Sequence, residues 1–125
     1  MFIVVYLLQA LPSCIPDCVG TALAFTESGR PLRDIGDKLI IEDDFFARER
    51  IYEVEKRCRK CEIIDYFAVL ADKEGHYLGY NPENNLMYLD REHHFNRFAK
   101  QRLQILYNRL AQEFESSKLF DHHEF

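Results

Sequence analysis

A chain of 125 residues with 47% hydrophobic and 14% aromatic content carries enough apolar side chain for one packed domain, which excludes a disordered chain. Its 16 basic and 21 acidic residues are interspersed and sum to −5, so there is no basic stripe to track a phosphate backbone and nucleic acid is not an expected partner.

Residues 2 to 10, Phe2-Ile3-Val4-Val5-Tyr6-Leu7-Leu8-Gln9-Ala10, form a nearly unbroken apolar run before Pro12. The run is far shorter than the roughly 20 residues of a membrane-spanning helix. It has the length of a signal-peptide core, but no Lys or Arg precedes it and no clear small-x-small site follows. Its Val, Ile and Tyr content predicts a strand buried on both faces. Such a strand needs neighbours on both sides, and Cys61-Glu62-Ile63-Ile64-Asp65-Tyr66 is the other convincing candidate.

From 12 to 42, Pro12, Pro16, Gly20, Gly29, Pro31 and Gly36 interrupt the chain, predicting a long loop region with room for short helices. Asp43 and Asp44 then introduce a helix over 44 to 59. Its Ala47, Ile51, Val54, Cys58 and Cys61 recur at spacings of four and three, a face expected to lie on the sheet. Strand, long connection, helix, strand is the order of a right-handed parallel crossover. The turn-rich stretch Gly75 to Asn85 leads into Leu86-Met87-Tyr88-Leu89-Asp90. Asn96 can cap a last helix, 97 to 115, with an apolar stripe of Phe98, Leu103, Leu106, Leu110 and Phe114. The tail from Ser116 is expected to fray.

The densest polar cluster is Asp90-Arg91-Glu92-His93-His94-Phe95-Asn96, in a short loop before that helix. A carboxylate three or four residues before a histidine can accept the imidazole Nδ1 proton and leave Nε2 free as a general base. That is two-thirds of a serine-hydrolase triad, although the spacing alone also suits a solvated helix entrance. Four cysteines, Cys14, Cys18, Cys58 and Cys61, allow three pairings when all are oxidised. Cys58-Arg59-Lys60-Cys61 is a C-x-x-C that could serve redox chemistry or half a zinc site with Cys14 and Cys18. However, C-x₃-C is looser than a zinc knuckle, and the C-x-x-C ends a helix instead of starting one, so structural disulfides or buried thiols are expected. His76 and the pair His122-His123 read as exposed polar sequence, and Tyr66, Phe67, Tyr77, Tyr80 and Tyr88 as packing. No metal or cofactor is expected.

Several separated motifs resemble one family in the right order. Ala47-Arg48-Glu49-Arg50, Lys56 to Tyr66, Gly79-Tyr80-Asn81-Pro82, Met87-Tyr88-Leu89-Asp90 and His94-Phe95-Asn96 are similar to the C-terminal part of the SGNH domain fused to acyltransferase-3-type membrane O-acyltransferases. The strand ending in Leu8-Gln9-Ala10-Leu11-Pro12 resembles that family's late strand. The resemblance implies an α/β fold, a partial SGNH-like three-layer αβα sandwich with a small parallel sheet. Residues 1 to 115 would be the C-terminal part of the domain, and 116 to 125 a disordered tail.

Carried over, Asp90 matches the triad acid, and the base falls on His93 or His94. Strict D-x-x-H spacing selects His93. The following Phe95-Asn96 and the helix register select His94, the favoured assignment, with Ala99 departing from the family's usual glycine. The G-D-S block with the nucleophile is absent: Ser13 and Ser28 are the serines before the loop, and no asparagine precedes Asn81. Acyl transfer by this chain alone is therefore not expected, since it lacks both the covalent route and the oxyanion donors. In the complete family the partners are an acyl donor and a hydroxyl acceptor. Membrane linkage would come through an N-terminal region not among these residues, on the lumenal or extracellular side, a setting that favours disulfides. Missing upstream strands would leave an apolar sheet edge open to another chain. A non-catalytic interaction module that pairs through this edge is the alternative expectation.

Overall fold

The computed structural model describes residues 4 to 123, with side chains up to Ser116. Residues 1 to 3, the start of the expected first strand, lie outside the described residues, as do the side chains of His122 and His123. The architecture is mixed α/β, with small sheets and four α-helices.

Strand β1 (Val5–Leu8) pairs in parallel with a later strand at Cys61–Ile64, in the register Val5 to Cys61 through Leu8 to Ile64. The Val5 N–H donates to the Lys60 carbonyl and the Gln9 N–H to the Ile64 carbonyl, each at 2.8 Å. The connection holds β2 (Ser13–Cys14), α1 (Cys18–Glu27), a 3₁₀ turn (Leu32–Ile35), β3 (Ile40–Ile41) and α2 (Phe45–Arg57), which leads into the second parallel strand, β4 (Cys61–Ile64). β2 and β3 pair antiparallel. α3 (Tyr66–Leu70), an antiparallel hairpin of β5 (Tyr80–Asn81) and β6 (Leu86–Met87), and α4 (Arg97–His123) complete the chain.

The expected parallel pair is present, but its surroundings correct three expectations. β1 is not buried on both faces: Val5 and Leu8 are 47% and 53% exposed. Among the described residues its sheet has two strands, so no further strand pairs with its far edge. The apolar face assigned to α2 is also not buried. Val54 is exposed, no α2 residue is buried, and the half-covered stripe runs through Ala47, Arg48, Ile51 and Glu55. Two narrow strands offer too little area to bury a helix face. Finally, α4 runs to His123, past the expected end at 115, with Phe114 exposed.

Apolar burial is concentrated elsewhere. The region 12 to 42, expected as loop, supplies Cys18, Leu32 and Leu39, which pack with Tyr80 and Leu89 in one cluster. Tyr66, Leu70, Tyr77, Tyr88, Ala99 and Leu103 form the second, and Phe95 packs against both. Tyr66, Tyr77, Tyr80 and Tyr88 are thus core residues, as expected. Gly79 enters β5 at φ +80, where a Cβ would stand 3.2 Å from Ile40 Cδ1.

Candidate functional site

The loop from Tyr88 to the start of α4 is fixed at both ends by backbone bonds. Leu89 and Phe95 form an antiparallel bridge, the Asp90 N–H donates to the His94 carbonyl at 2.8 Å, and the Asn96 N–H donates to the Tyr88 carbonyl at 2.9 Å. Asn96 caps α4 as expected. Its Oδ1 accepts from the Phe98 and Ala99 N–H groups at 3.0 and 3.2 Å, and its Nδ2 donates to the Met87 carbonyl at 2.6 Å.

Within this frame Asp90 and His94 are brought together, but not through the imidazole. Asp90 Oδ1 accepts from the Glu92 N–H at 2.9 Å and the His94 N–H at 3.0 Å. In this structure the carboxylate bonds the backbone of its own turn, and no hydrogen bond joins it to a histidine ring. In so tight a loop the amides are the nearest donors, and an ionised carboxylate bonds them strongly. The His94 amide, chiefly, holds the Asp90 carboxyl below its usual range; burial opposes it, and the Glu92 amide adds a smaller lowering effect. Asp90 Oδ2 makes no hydrogen bond among the described residues. His94 Nδ1 lies 3.7 Å from Glu92 Oε2, with the His94 side chain 73% exposed. His93 donates its N–H to the Asp90 carbonyl at 3.1 Å and adopts φ 64, a left-handed conformation uncommon for a residue with a Cβ.

A second feature has no sequence motif behind it. A groove of about 1240 Å³ opens beyond the C-terminal ends of β1 and β4, lined by Pro12, Arg48, Phe67, Asp72, Tyr77 and Arg102 among others. Open α/β sheets bind ligands at that end of their strands. Asp90, His93 and His94 do not line it. It could not be read from the sequence because its walls come from elements scattered from Pro12 to Arg102.

On the groove wall, Asp72, Glu74 and His76 place ligand-type atoms within 4.8 Å of one another. Asp72 Oδ1 already accepts from the Glu74 N–H at 3.0 Å and the His76 N–H at 2.8 Å, so its first role is to close the turn. The His76 side chain is 69% exposed.

The cysteines are paired as Cys14–Cys18 and Cys58–Cys61, with Cα atoms 6.1 and 5.4 Å apart. In this pairing all four sulfurs are taken up in disulfides, as the expectation of structural disulfides has it. No helix among the described residues is long and apolar enough to cross a membrane. Compared with known proteins, the chain matches no family model, no curated protein and no solved structure.

Proposed function

We propose that residues 1 to 115 form the C-terminal part of an SGNH-type domain like that of acyltransferase-3-type O-acyltransferases, keeping the acid and base end of its triad without the serine. The observation that carries this reading is the order of parts. A parallel strand pair joined through α2 is followed by an Asp90-to-His94 loop that feeds an Asn96-capped helix. In this reading the small sheet and its helices belong to a three-layer sandwich whose remaining strands lie elsewhere.

The loop suits His94 as the base better than His93. Asp90 bonds both the N–H and the carbonyl of His94, which fixes the backbone of that residue next to the carboxylate. Asp90 Oδ2 is left to receive an imidazole Nδ1 proton, so Nε2 could take a proton from a serine hydroxyl presented opposite. The serine would then attack an acyl donor, and the acyl group would pass to a hydroxyl acceptor. This chain has no G-D-S block to supply that serine, so on its own it should transfer nothing.

The test joins the chain to the G-D-S-bearing half of an intact SGNH acyltransferase and exposes the fusion, and the chain alone, to a fluorophosphonate. Labelling of the fusion that disappears with His94→Ala, and none of the chain alone, is the expected result. Labelling of the isolated chain, or a folded fusion indifferent to both Asp90→Ala and His94→Ala, would refute the proposal.

One observation favours a second reading, a non-catalytic interaction module. Alternate residues of β1 bond to β4, so the Tyr6 and Leu8 amides face the free edge, beside exposed Val5 and Leu8 side chains. Sedimentation equilibrium separates the two readings. A stable dimer abolished by Tyr6→Pro supports edge pairing, and a monomer at all concentrations removes it.

A further inference from the structure

We propose that Cys58–Cys61 is a thiol-exchange site: a dithiol reductant opens this disulfide in the folded chain while Cys14–Cys18 stays closed. The inference is independent of the acyl-transfer reading, because it rests on how differently the two pairs are placed. Cys14 and Cys18 are 8% and 0% exposed and belong to the core cluster with Leu39. The charged residue beside them in sequence is an acid, Asp17. A reductant reaches these sulfurs only when the core opens.

Cys58 and Cys61 instead sit half-buried at the surface junction of α2 and β4. They lie in the run Lys56-Arg57-Cys58-Arg59-Lys60-Cys61, whose four basic residues are all exposed. Within two residues of either sulfur, Glu62 is the lone acid. Arg57 also pairs with Glu53, at 3.1 Å, which leaves Lys56, Arg59 and Lys60 without a salt bridge among the described residues. Such a positive surface draws in an anionic thiolate and stabilises the thiolate that departs, and both effects speed exchange.

The exchange balances without a further reactant. A thiolate of the dithiol attacks one cysteine sulfur, forms a mixed disulfide and expels the other cysteine as thiolate, which takes a proton. The second thiol of the reductant then closes its own disulfide and releases the first cysteine. The dithiol loses two electrons and Cys58–Cys61 gains them. Opening also loosens structure, because Cys58 ends α2 and Lys60 supplies the carbonyl that accepts the Val5 N–H. Reduction would therefore weaken the start of the β1–β4 pairing.

The experiment treats the intact folded chain with graded dithiothreitol, blocks free thiols with N-ethylmaleimide and locates the label by peptide mass spectrometry. Cys58 and Cys61 should be labelled at a dithiothreitol concentration about tenfold or more below that needed for Cys14 and Cys18. Simultaneous labelling, or labelling of Cys14 and Cys18 first, overturns the proposal. A double variant, Arg59→Gln with Lys60→Gln, separates charge from mere exposure. Its exchange should be about threefold or more slower at low salt, with the difference shrinking as salt is added. An unchanged rate at low salt also overturns the proposal.

Discussion

Arg48 of α2 and Asp65 at the end of β4 form the ion pair that joins the parallel strands to their helix. Arg48 Nη2 donates to Asp65 Oδ2 at 2.5 Å, and Arg48 Nη1 donates to the Ala10 carbonyl at 2.8 Å, just past β1. Gln9, the one buried polar residue among the described residues, donates its Nε2 to the Arg48 carbonyl at 3.3 Å. The two charged side chains are 21% and 26% exposed, so solvent screens the pair only in part. Arg48→Ala should cost about 2–3 kcal/mol by urea unfolding, and Arg48→Lys about half of that, because an ammonium cannot bond both partners in the same fork. Equal stability of the lysine variant and the parent would show that charge, and not the fork, joins these elements.

Asn96 bonds in two directions, to the first amides of α4 and to the Met87 carbonyl on β6. Asn96→Ala removes the cap and the tie together and should lower stability by about 1–2 kcal/mol. Asn96→Asp keeps the cap and loses the donor, so it should fall between. Thermal unfolding of the three proteins gives the order directly.

Local chemistry was readable where one residue type has one dominant use. Asn96 before an apolar stripe meant a cap, and β-branched residues before Pro12 meant a strand. Burial was not readable in the same way. Val5, Leu8 and Val54 are as apolar as Leu32 and Leu39, yet the first three are exposed and the last two buried. Which apolar residues are covered depends on how much surface lies opposite them, and periodicity carries no information about that. The region 12 to 42 is hard to read for a related reason: its buried residues recur at spacings of three and four, as Cys18 with Ala22 and Leu32 with Ile35, but the helical turns they mark are short and are broken by Pro16, Gly29, Pro31 and Gly36. At the candidate site the polar cluster is legible in the sequence, but the Asp90 bonding partner is not. Spacing alone cannot rank an imidazole against nearby backbone amides.

Asp90 provides a pH test. Its folded carboxyl is held below the ordinary value of 3.8, so its contribution is fully present above that pH and is lost as pH falls through the depressed folded value. The amide resonances of Glu92 and His94 should titrate together below the usual carboxylate range, and Asp90→Asn should abolish that titration. A midpoint at or above 3.8 would mean that the carboxylate is not held by these amides.

Tyr77 sets an alkaline limit. It is 5% exposed, and burial, with a smaller contribution from the charge of Tyr88, pushes its phenol up to about 12 from an ordinary 10.0. The folded state therefore keeps the proton over a window in which the unfolded chain releases it. The associated stability is complete below pH 10 and drains away as pH rises toward 12, a loss of about 2 kcal/mol for a gap of that size. Tyr66, also raised to about 12 with burial as its largest cause, drains over the same range and is untouched by a change at Tyr77. Tyr77→Phe should therefore reduce, without abolishing, the drop in urea-unfolding stability between pH 8 and pH 11.5. If parent and variant lose stability equally over that interval, the phenol at 77 already titrates as if in water, and Tyr77 is not held in the second cluster beside Phe67.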